Sequence, residues 1–344
     1  MRTIALMNQK GGVGKTTTTV NLGAAMAEIG KRVCLIDLDP QAHLTINYGI
    51  DPNPDTVSLY DVLLGENSFL EAVHKIDDHL ALVPSSIDLA AAEIELVSVL
   101  GRETLLKKKM ESAQHDFDVI LLDCPPSLGL LTLNALSVSD EVVIPMQPHF
   151  LALQGVAKLL ETVQLVNKRM NPRLKVSGIV LTMFDAQTKL SNEVVAELNG
   201  FIDAAQGKPL PWADAKVYRT RIRRNIKLAE SPSFGQHILK YDPASNGASD
   251  YRALAKEVLG IAEPTPAQPS QPRAAAGASK TQAVPPPAAV APAPAPQPAP
   301  ARSPVTVTVN PSIDPSRLAA AKVNAPAKPV PGQADADADA EAVA

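Results

Sequence analysis

"NQKGGVGKTTTTVNLG", residues 8–23, decides the fold. It follows the short apolar run "TIALM", residues 3–7, and Lys15-Thr16 opens a helix-like stretch. A strand, a glycine-rich loop and a helix in that order are what a phosphate-binding loop requires. Gly11, Gly12 and Gly14 allow close approach and left-handed dihedrals, so successive backbone N–H groups can turn toward phosphate oxygens. The helix N-terminus adds the positive end of its dipole. In this pattern Lys15 reaches the β- and γ-phosphates, the Thr16 hydroxyl ligates Mg²⁺, and Thr17 donates to the α-phosphate. One position departs from the usual loop: five residues before Gly14, where glycine is the rule, stands Gln9.

Outward from the loop, Val/Ile/Leu-rich runs at residues 3–7, 32–38, 80–84, 118–123, 141–145 and 176–182 alternate with helical patterns at 15–29, 90–113, 130–138, 153–170 and 192–204. This rhythm predicts an α/β fold, a mostly parallel twisted sheet with helices on both faces. Ligands of such sheets bind at the carboxyl ends of the strands. Two stretches put carboxylates there. "RVCLIDLDPQ", residues 32–41, carries Asp37 and Asp39, and alternate strand residues share a face, so both can address one site. Asp39 is the candidate to orient or deprotonate an attacking water, and Asp37 to support magnesium or the lysines. "DFDVILLDCPPSLG", residues 116–129, ends a strand on Asp123, the expected acidic partner of Mg²⁺ through its water shell. Pro125 and Pro126 stop the strand, and Gly129 leaves the next loop free to respond to a γ-phosphate. The set suits phosphoryl transfer to water, and no separate acceptor site stands out.

The bulk composition sets bounds. A net charge of -4, with 20% charged and 45% hydrophobic residues, argues against a general nucleic-acid coat but leaves room for a local basic patch. "KVYRTRIRRNIK", residues 216–227, is such a patch, with Lys216, Arg219, Arg221, Arg223, Arg224 and Lys227 and no acid. Flexible cations of this kind neutralise duplex phosphates without reading sequence. The same residues also suit a solvated face whose arginines pair with acids elsewhere or serve the nucleotide site. Cys34 and Cys124 read as small packing residues of a protein in a reducing cytosol. His43, His74, His79, His115, His149 and His237 show no metal-ligand spacing, so magnesium is the one metal expected. In "LTMFDAQT", residues 181–188, Met183 suits an adenine contact or an ordinary strand-to-helix turn. Phe184 and Trp212 read as packing residues, and residues 90–113 as one surface helix with a solvated basic end, "LLKKKM".

No run of about 18 apolar residues occurs. Beyond Glu263 lie 18 of the chain's 31 prolines and no aromatic residue, the last being Tyr251. That composition predicts a disordered, partly polyproline-II spacer, which divides the chain into a folded domain at residues 1–262 and a Pro/Ala-rich tail at residues 263–344.

The run Lys10-Gly11-Gly12-Val13-Gly14-Lys15-Thr16-Thr17 resembles the deviant phosphate loop of the ParA/MinD superfamily. The resemblance implies that these eight residues bind ATP, and that Lys10 reaches across an ATP-sandwiched homodimer to the partner's phosphates. It implies catalysis by Lys10, Lys15 and Asp39, with Thr16 and Asp123 at the metal. "VYRTRIRRNIKLAESPSFGQHILKYDPASNGASDYRALAKEVL", residues 217–259, is similar to the C-terminal region of the chromosomal ParA/Soj partition ATPases. The likeness runs from Thr3 to about Gly260; where that family often has proline before its Arg-Asn pair, this chain has Arg223.

The resemblance implies a slow, partner-stimulated ATPase that converts ATP and water to ADP and phosphate. Such a protein dimerises with ATP, binds double-stranded DNA nonspecifically, answers to a ParB/Spo0J-type centromere-binding protein, and sits in the cytoplasm on the nucleoid. Arg224 and Lys227 match the DNA-contacting residues of relatives best, with Arg219, Arg221 and Arg223 in support. Because the chain opens on its first strand, the N-terminal helix-turn-helix of larger plasmid relatives, and autorepression with it, is not expected. The main alternative is a cargo-positioning ATPase for a non-chromosomal structure. A MinD-like division-site ATPase would need a basic amphipathic C-terminal helix, and the acidic Pro/Ala-rich end argues against that and against a membrane partner. A polysaccharide tyrosine kinase usually carries a tyrosine-rich tail, and an iron–sulfur relative needs a pair of cluster thiolates.

Overall fold

The structure, a computed structural model, describes residues 1–113, 115–149 and 152–261; the expected tail lies outside the described residues. Eight strands form one sheet: β1 (Arg2–Leu6), β2 (Val33–Asp37), β3 (His74–Lys75), β4 (Leu80–Val83), β5 (Val119–Asp123), β6 (Glu141–Met146), β7 (Lys175–Leu181) and β8 (Lys216–Val217). Their order is β3-β4-β2-β5-β1-β6-β7-β8, and every neighbouring pair is parallel except β3 with β4. The expected parallel sheet is therefore present, with β1 between β5 and β6. Each crossover returns the chain to the same edge, so the loops after β1, β2 and β5 converge.

The strands are apolar on both faces because both are covered. Ile4 and Leu6 of β1, Val33 and Leu35 of β2 and Val119 and Leu121 of β5 face one core, while Ala5, Cys34, Ile36, Ile120 and Leu122 face the other. This is the two-residue period of a strand read twice. The first core is closed by α1 (Lys15–Glu28), α2 (His43–Asn47), α9 (Lys227–Glu230), α10 (Ile238–Tyr241) and α11 (Asn246–Leu259). The second is closed by α3 (Leu59–Leu64), α4 (Leu89–Glu95), α5 (Leu105–Lys109), α6 (Leu130–Val138), α7 (Ala152–Arg169) and α8 (Lys189–Asp203). Cys34 and Cys124 are buried and free, as expected of packing residues, and burial pushes both thiols up. Phe184 and Trp212 are likewise buried.

α1 begins at the phosphate loop despite four consecutive threonines, which are poor helix formers. Tertiary contacts outweigh propensity: the Thr18 hydroxyl meets Tyr251 of α11 at 3.3 Å, and Asn21 Oδ1 accepts from Ile238 N of α10 at 2.7 Å. At Gly23 a Cβ would come 2.5 Å from Leu35 Cδ2, so glycine lets α1 lie close on β2.

The helix expected at residues 90–113 is not continuous. α4 and α5 are separated by short 3-10 turns and by Gly101 at φ +73°. Buried Asn134 of α6 bridges the break: its Oδ1 accepts from Leu106 N at 3.0 Å and its Nδ2 donates to Arg102 O at 2.7 Å. A side chain from another helix thus satisfies the backbone groups that a broken helix leaves open. Lys107 and Lys108 do remain in solvent.

Candidate functional site

The loop between β1 and α1 turns on two left-handed glycines, Gly12 at φ +70° and Gly14 at φ +83°. Around Gly11 and Gly12 a Cβ would meet nothing within 4 Å, so the loop's outer rim is open. Gly11, Gly12, Gly14, Lys15, Thr16, Thr17 and Asp39 line one cavity of about 430 Å³. Val13 is buried beneath it, and Lys15, the first residue of α1, is 8% exposed.

β2 and β5 end side by side, with Asp37 in register with Asp123. Asp123 is 1% exposed and holds two threonines of α1: Thr16 Oγ1 donates to its Oδ2 at 2.6 Å, and Thr19 Oγ1 to its Oδ1 at 3.1 Å. Burial raises the Asp123 carboxyl above the usual range, opposed by the Thr16 hydrogen bond and the Lys15 charge. Asp37 is raised by burial and then by the Asp123 charge.

Asp37 and Asp39 do not address one site. Asp37 is fully buried, its Oδ2 accepting from Thr45 N at 2.9 Å and Thr45 Oγ1 at 2.7 Å, its Oδ1 from Asp39 N at 3.1 Å. It fastens the turn from β2 into α2. Asp39, past the strand end, is half-buried and faces the cavity; Gln41 N donates to its Oδ1 at 3.0 Å. The period-two argument fails because the chain has left the strand by Leu38.

A second cavity of about 480 Å³ adjoins the first, with Gly14, Thr17 and Met183 in both walls. Its far side is the segment at residues 222–226, together with Tyr251. Met183 is half-exposed with φ +48°, a conformation uncommon for a side chain without a local amide.

The basic stretch splits by environment. Arg223 forms an ion pair with Asp250, Nη2 to Oδ1 at 2.7 Å, and Lys227 pairs with Glu230 at 2.9 Å. The Arg221 guanidinium lies 4.3 Å from the Phe184 ring centroid. Arg219 and Arg224 are exposed and form no ion pair among the described residues, and Arg224 sits on the rim of the second cavity. Lys10 is exposed too, its ammonium without an ion pair among the described residues. Sequence reasoning missed Thr19, Thr45, Gln147 and Thr182, which touch the site residues; a hydroxyl or amide in an apolar run carries no signal of what it will face.

A glycine loop closed on a helix N-terminus, a buried lysine and a threonine–aspartate pair at the carboxyl ends of a parallel sheet define a P-loop nucleoside-triphosphatase site. The AAA domain family matches residues 1–176. The sporulation initiation inhibitor protein Soj of Bacillus subtilis is 47% identical over 256 residues, which cover 74% of this chain and 97% of that protein. The chromosome partitioning protein ParA of Myxococcus xanthus is 40% identical over 259 residues, 75% of this chain and 88% of that one. This chain belongs to the ParA/Soj family of chromosome-partitioning ATPases. Among solved structures, cobyrinic acid a,c-diamide synthase from Mycobacterium smegmatis with bound ADP and magnesium is similar at 39% identity and a TM-score of 0.63, covering 75% of this chain and 94% of that one.

Proposed function

We propose that the protein is an ATP-dependent, dimerising ATPase whose ATP state binds DNA without sequence preference and acts with a ParB-type partner in segregating chromosomes or plasmids. Residues 1–262 would be the working domain, carrying residues 263–344 as a spacer, in a protein of the cytoplasm associated with the nucleoid. Among the described residues no helix is long and apolar enough to cross a membrane.

The residues present fit ATP and magnesium. The cradle at Gly11 and Gly12 is open, and the buried Gln9 Nε2 beside it has no hydrogen-bond partner among the described residues. The Thr16 hydroxyl and the Asp123 carboxylate are the hard oxygen donors that magnesium takes, and they already touch. Bound magnesium would supply charge neutralisation on the phosphate oxygens. The loop amides and Lys15 would hold and neutralise the triphosphate, and Asp39 would orient the attacking water.

The observation that carries the DNA reading is a shared wall. The segment that presents exposed Arg224 also lines the cavity reached by Gly14 and Thr17 of the phosphate loop. A nucleotide filling that cavity would touch the base of the basic stretch, so its arrival and loss can change what the arginines present. The Lys227–Glu230 pair is open to solvent on both sides and can exchange for phosphate, whereas Arg223 is held by the buried Asp250 carboxylate and is the less available of the two.

The test is fluorescence anisotropy of a random-sequence duplex, titrated in ATP and in ADP at several salt concentrations. Binding is expected with ATP only, with a steep salt dependence, and Arg224→Ala should weaken it by about 3- to 10-fold and flatten the salt slope. Equal binding in both nucleotides would sink the switch. For the dimer, sedimentation of Lys10→Ala should show monomers in ATP, with ATP affinity within about threefold of wild type, because an exposed charge that serves a second copy does little for the first. A dimer of normal stability would remove Lys10 from the interface. A cargo other than DNA-borne centromeres would leave both results unchanged and alter only the partner.

A further inference from the structure

Three side chains hold the outer side of the phosphate loop. Asn8 Nδ2 donates to Pro145 O at 2.8 Å, Gln147 Nε2 donates to Gly12 O at 3.1 Å, and Thr182 Oγ1 donates to Val13 O at 2.7 Å. Pro145 lies in β6, Gln147 just follows it, and Thr182 just follows β7. The two strands on one side of β1 therefore clamp the loop, with Gln147 and Thr182 taking its carbonyls.

A trans peptide plane carries its C=O and N–H on opposite sides, and the described chain has no cis peptide. Turning Gly12 C=O toward Gln147 turns Val13 N–H away from the tether; turning Val13 C=O toward Thr182 does the same to Gly14 N–H. The left-handed φ of Gly12 and Gly14 continues this alternation, the backbone form that gathers N–H groups into an anion-binding concavity. Both tethers are themselves fixed. Thr182 is 2% exposed and Val13 1%, so that bond lies in the interior, where an unpaired carbonyl is expensive. The Gln147 amide is oriented by His149, whose Nε2 lies 2.7 Å from Gln147 Oε1, and its nitrogen also meets the Met183 sulfur.

We propose that Gln147 and Thr182 are positioning residues that aim the Val13 and Gly14 N–H groups at the nucleotide's β-phosphate and so set affinity for the polyphosphate. The proposal rests on the nucleotide-binding reading above and adds to it two residues outside the loop.

The experiment titrates the full-length protein with ribose-labelled fluorescent ADP and, separately, AMP, which lacks the β-phosphate. Thr182→Val keeps the shape and removes the donor; Thr182→Ser keeps the donor. Gln147→Met, at a less buried position, removes the second donor at nearly constant size and adds no charge. The valine variant should bind ADP about 5- to 50-fold more weakly while AMP affinity moves by less than about twofold, and the serine variant should regain most of the ADP affinity. Gln147→Met should also lose ADP selectively. A purely structural role would lower the melting temperature and weaken ADP and AMP alike. ADP affinity of both Thr182→Val and Gln147→Met within about twofold of wild type, or parallel losses for ADP and AMP, would overturn the proposal alone. A wild-type protein that does not bind ADP would overturn it together with the nucleotide reading.

Discussion

Lys15→Ala removes ATP and ADP binding, with affinity lowered by on the order of 10²-fold or more in isothermal titration calorimetry, because of the charges beneath the loop. Lys15 is buried, and its charge is among the forces that favour the ionised form of Asp123. Asp123 in turn lies in register with buried Asp37. With the lysine gone, an incoming triphosphate meets two buried acids and no fixed cation. A single charge contact at about 4 Å and an effective dielectric near 20 is worth about 4 kcal/mol, roughly three powers of ten, so the loop amides alone do not make up the loss. The same deletion should lower the melting temperature of the nucleotide-free protein, because Asp123 loses its compensating charge. ADP affinity within tenfold of wild type would show that the amides carry binding alone and would refute the electrostatic role of Lys15.

Much of the fold was legible because its strands bury both faces. A run such as "VCLID" has little freedom to be anything but an inner strand when glycine, proline or charge punctuates each end, and the structure places such strands within a residue or two of the expected bounds. The site was legible where chemistry demands a residue type at a fixed spacing, as from Gly11 to Thr16. It was not legible where the determinant is tertiary. The break between α4 and α5 depends on Asn134, some thirty positions along the chain, and the aim of the loop amides on Thr182, which is 169 residues from Val13. Asp37 misled for a related reason: its environment is made by Thr45 of a short helix that the apolar pattern does not announce. In the basic stretch, spacing showed six cations, but Asp250, which neutralises Arg223, lies on α11, whose packing the sequence does not display; Glu230 stands only three residues beyond Lys227, just past the basic run.

The same scaffold serves more than one end. A structure at 39% identity bears the name cobyrinic acid a,c-diamide synthase, so likeness of fold does not by itself name the reaction. What distinguishes the outcomes is the acceptor geometry around Asp39 and the use made of residues 216–227. Under the proposed function Arg224 contributes to duplex binding, which the anisotropy titration reads directly.

Asp39→Ala should lower steady-state ATP hydrolysis by on the order of 10²-fold or more, leave ATP affinity within about threefold, and accumulate a DNA-bound dimer. The carboxylate is held by its backbone: Asp39 N donates to Asp37 Oδ1, and Asp37 is itself locked by Thr45. Its Oδ1 accepts from Gln41 N, and its Oδ2 makes no hydrogen bond among the described residues while the side chain faces the cavity of the phosphate loop. A carboxylate so placed has one oxygen to fix its direction and one to hold a water. Asp37 cannot take the part, because both its oxygens are engaged and none of it is exposed. Alanine keeps the backbone bond to Asp37 and leaves Gln41 N–H to solvent, so the turn survives and the loss falls on the water-directing step. Removing an anion from beside the triphosphate also does nothing to weaken its binding. Phosphate release under single-turnover conditions separates the two terms: a slow chemical step with normal ATP occupancy supports the assignment, and turnover within tenfold of wild type moves the water-directing role to another residue.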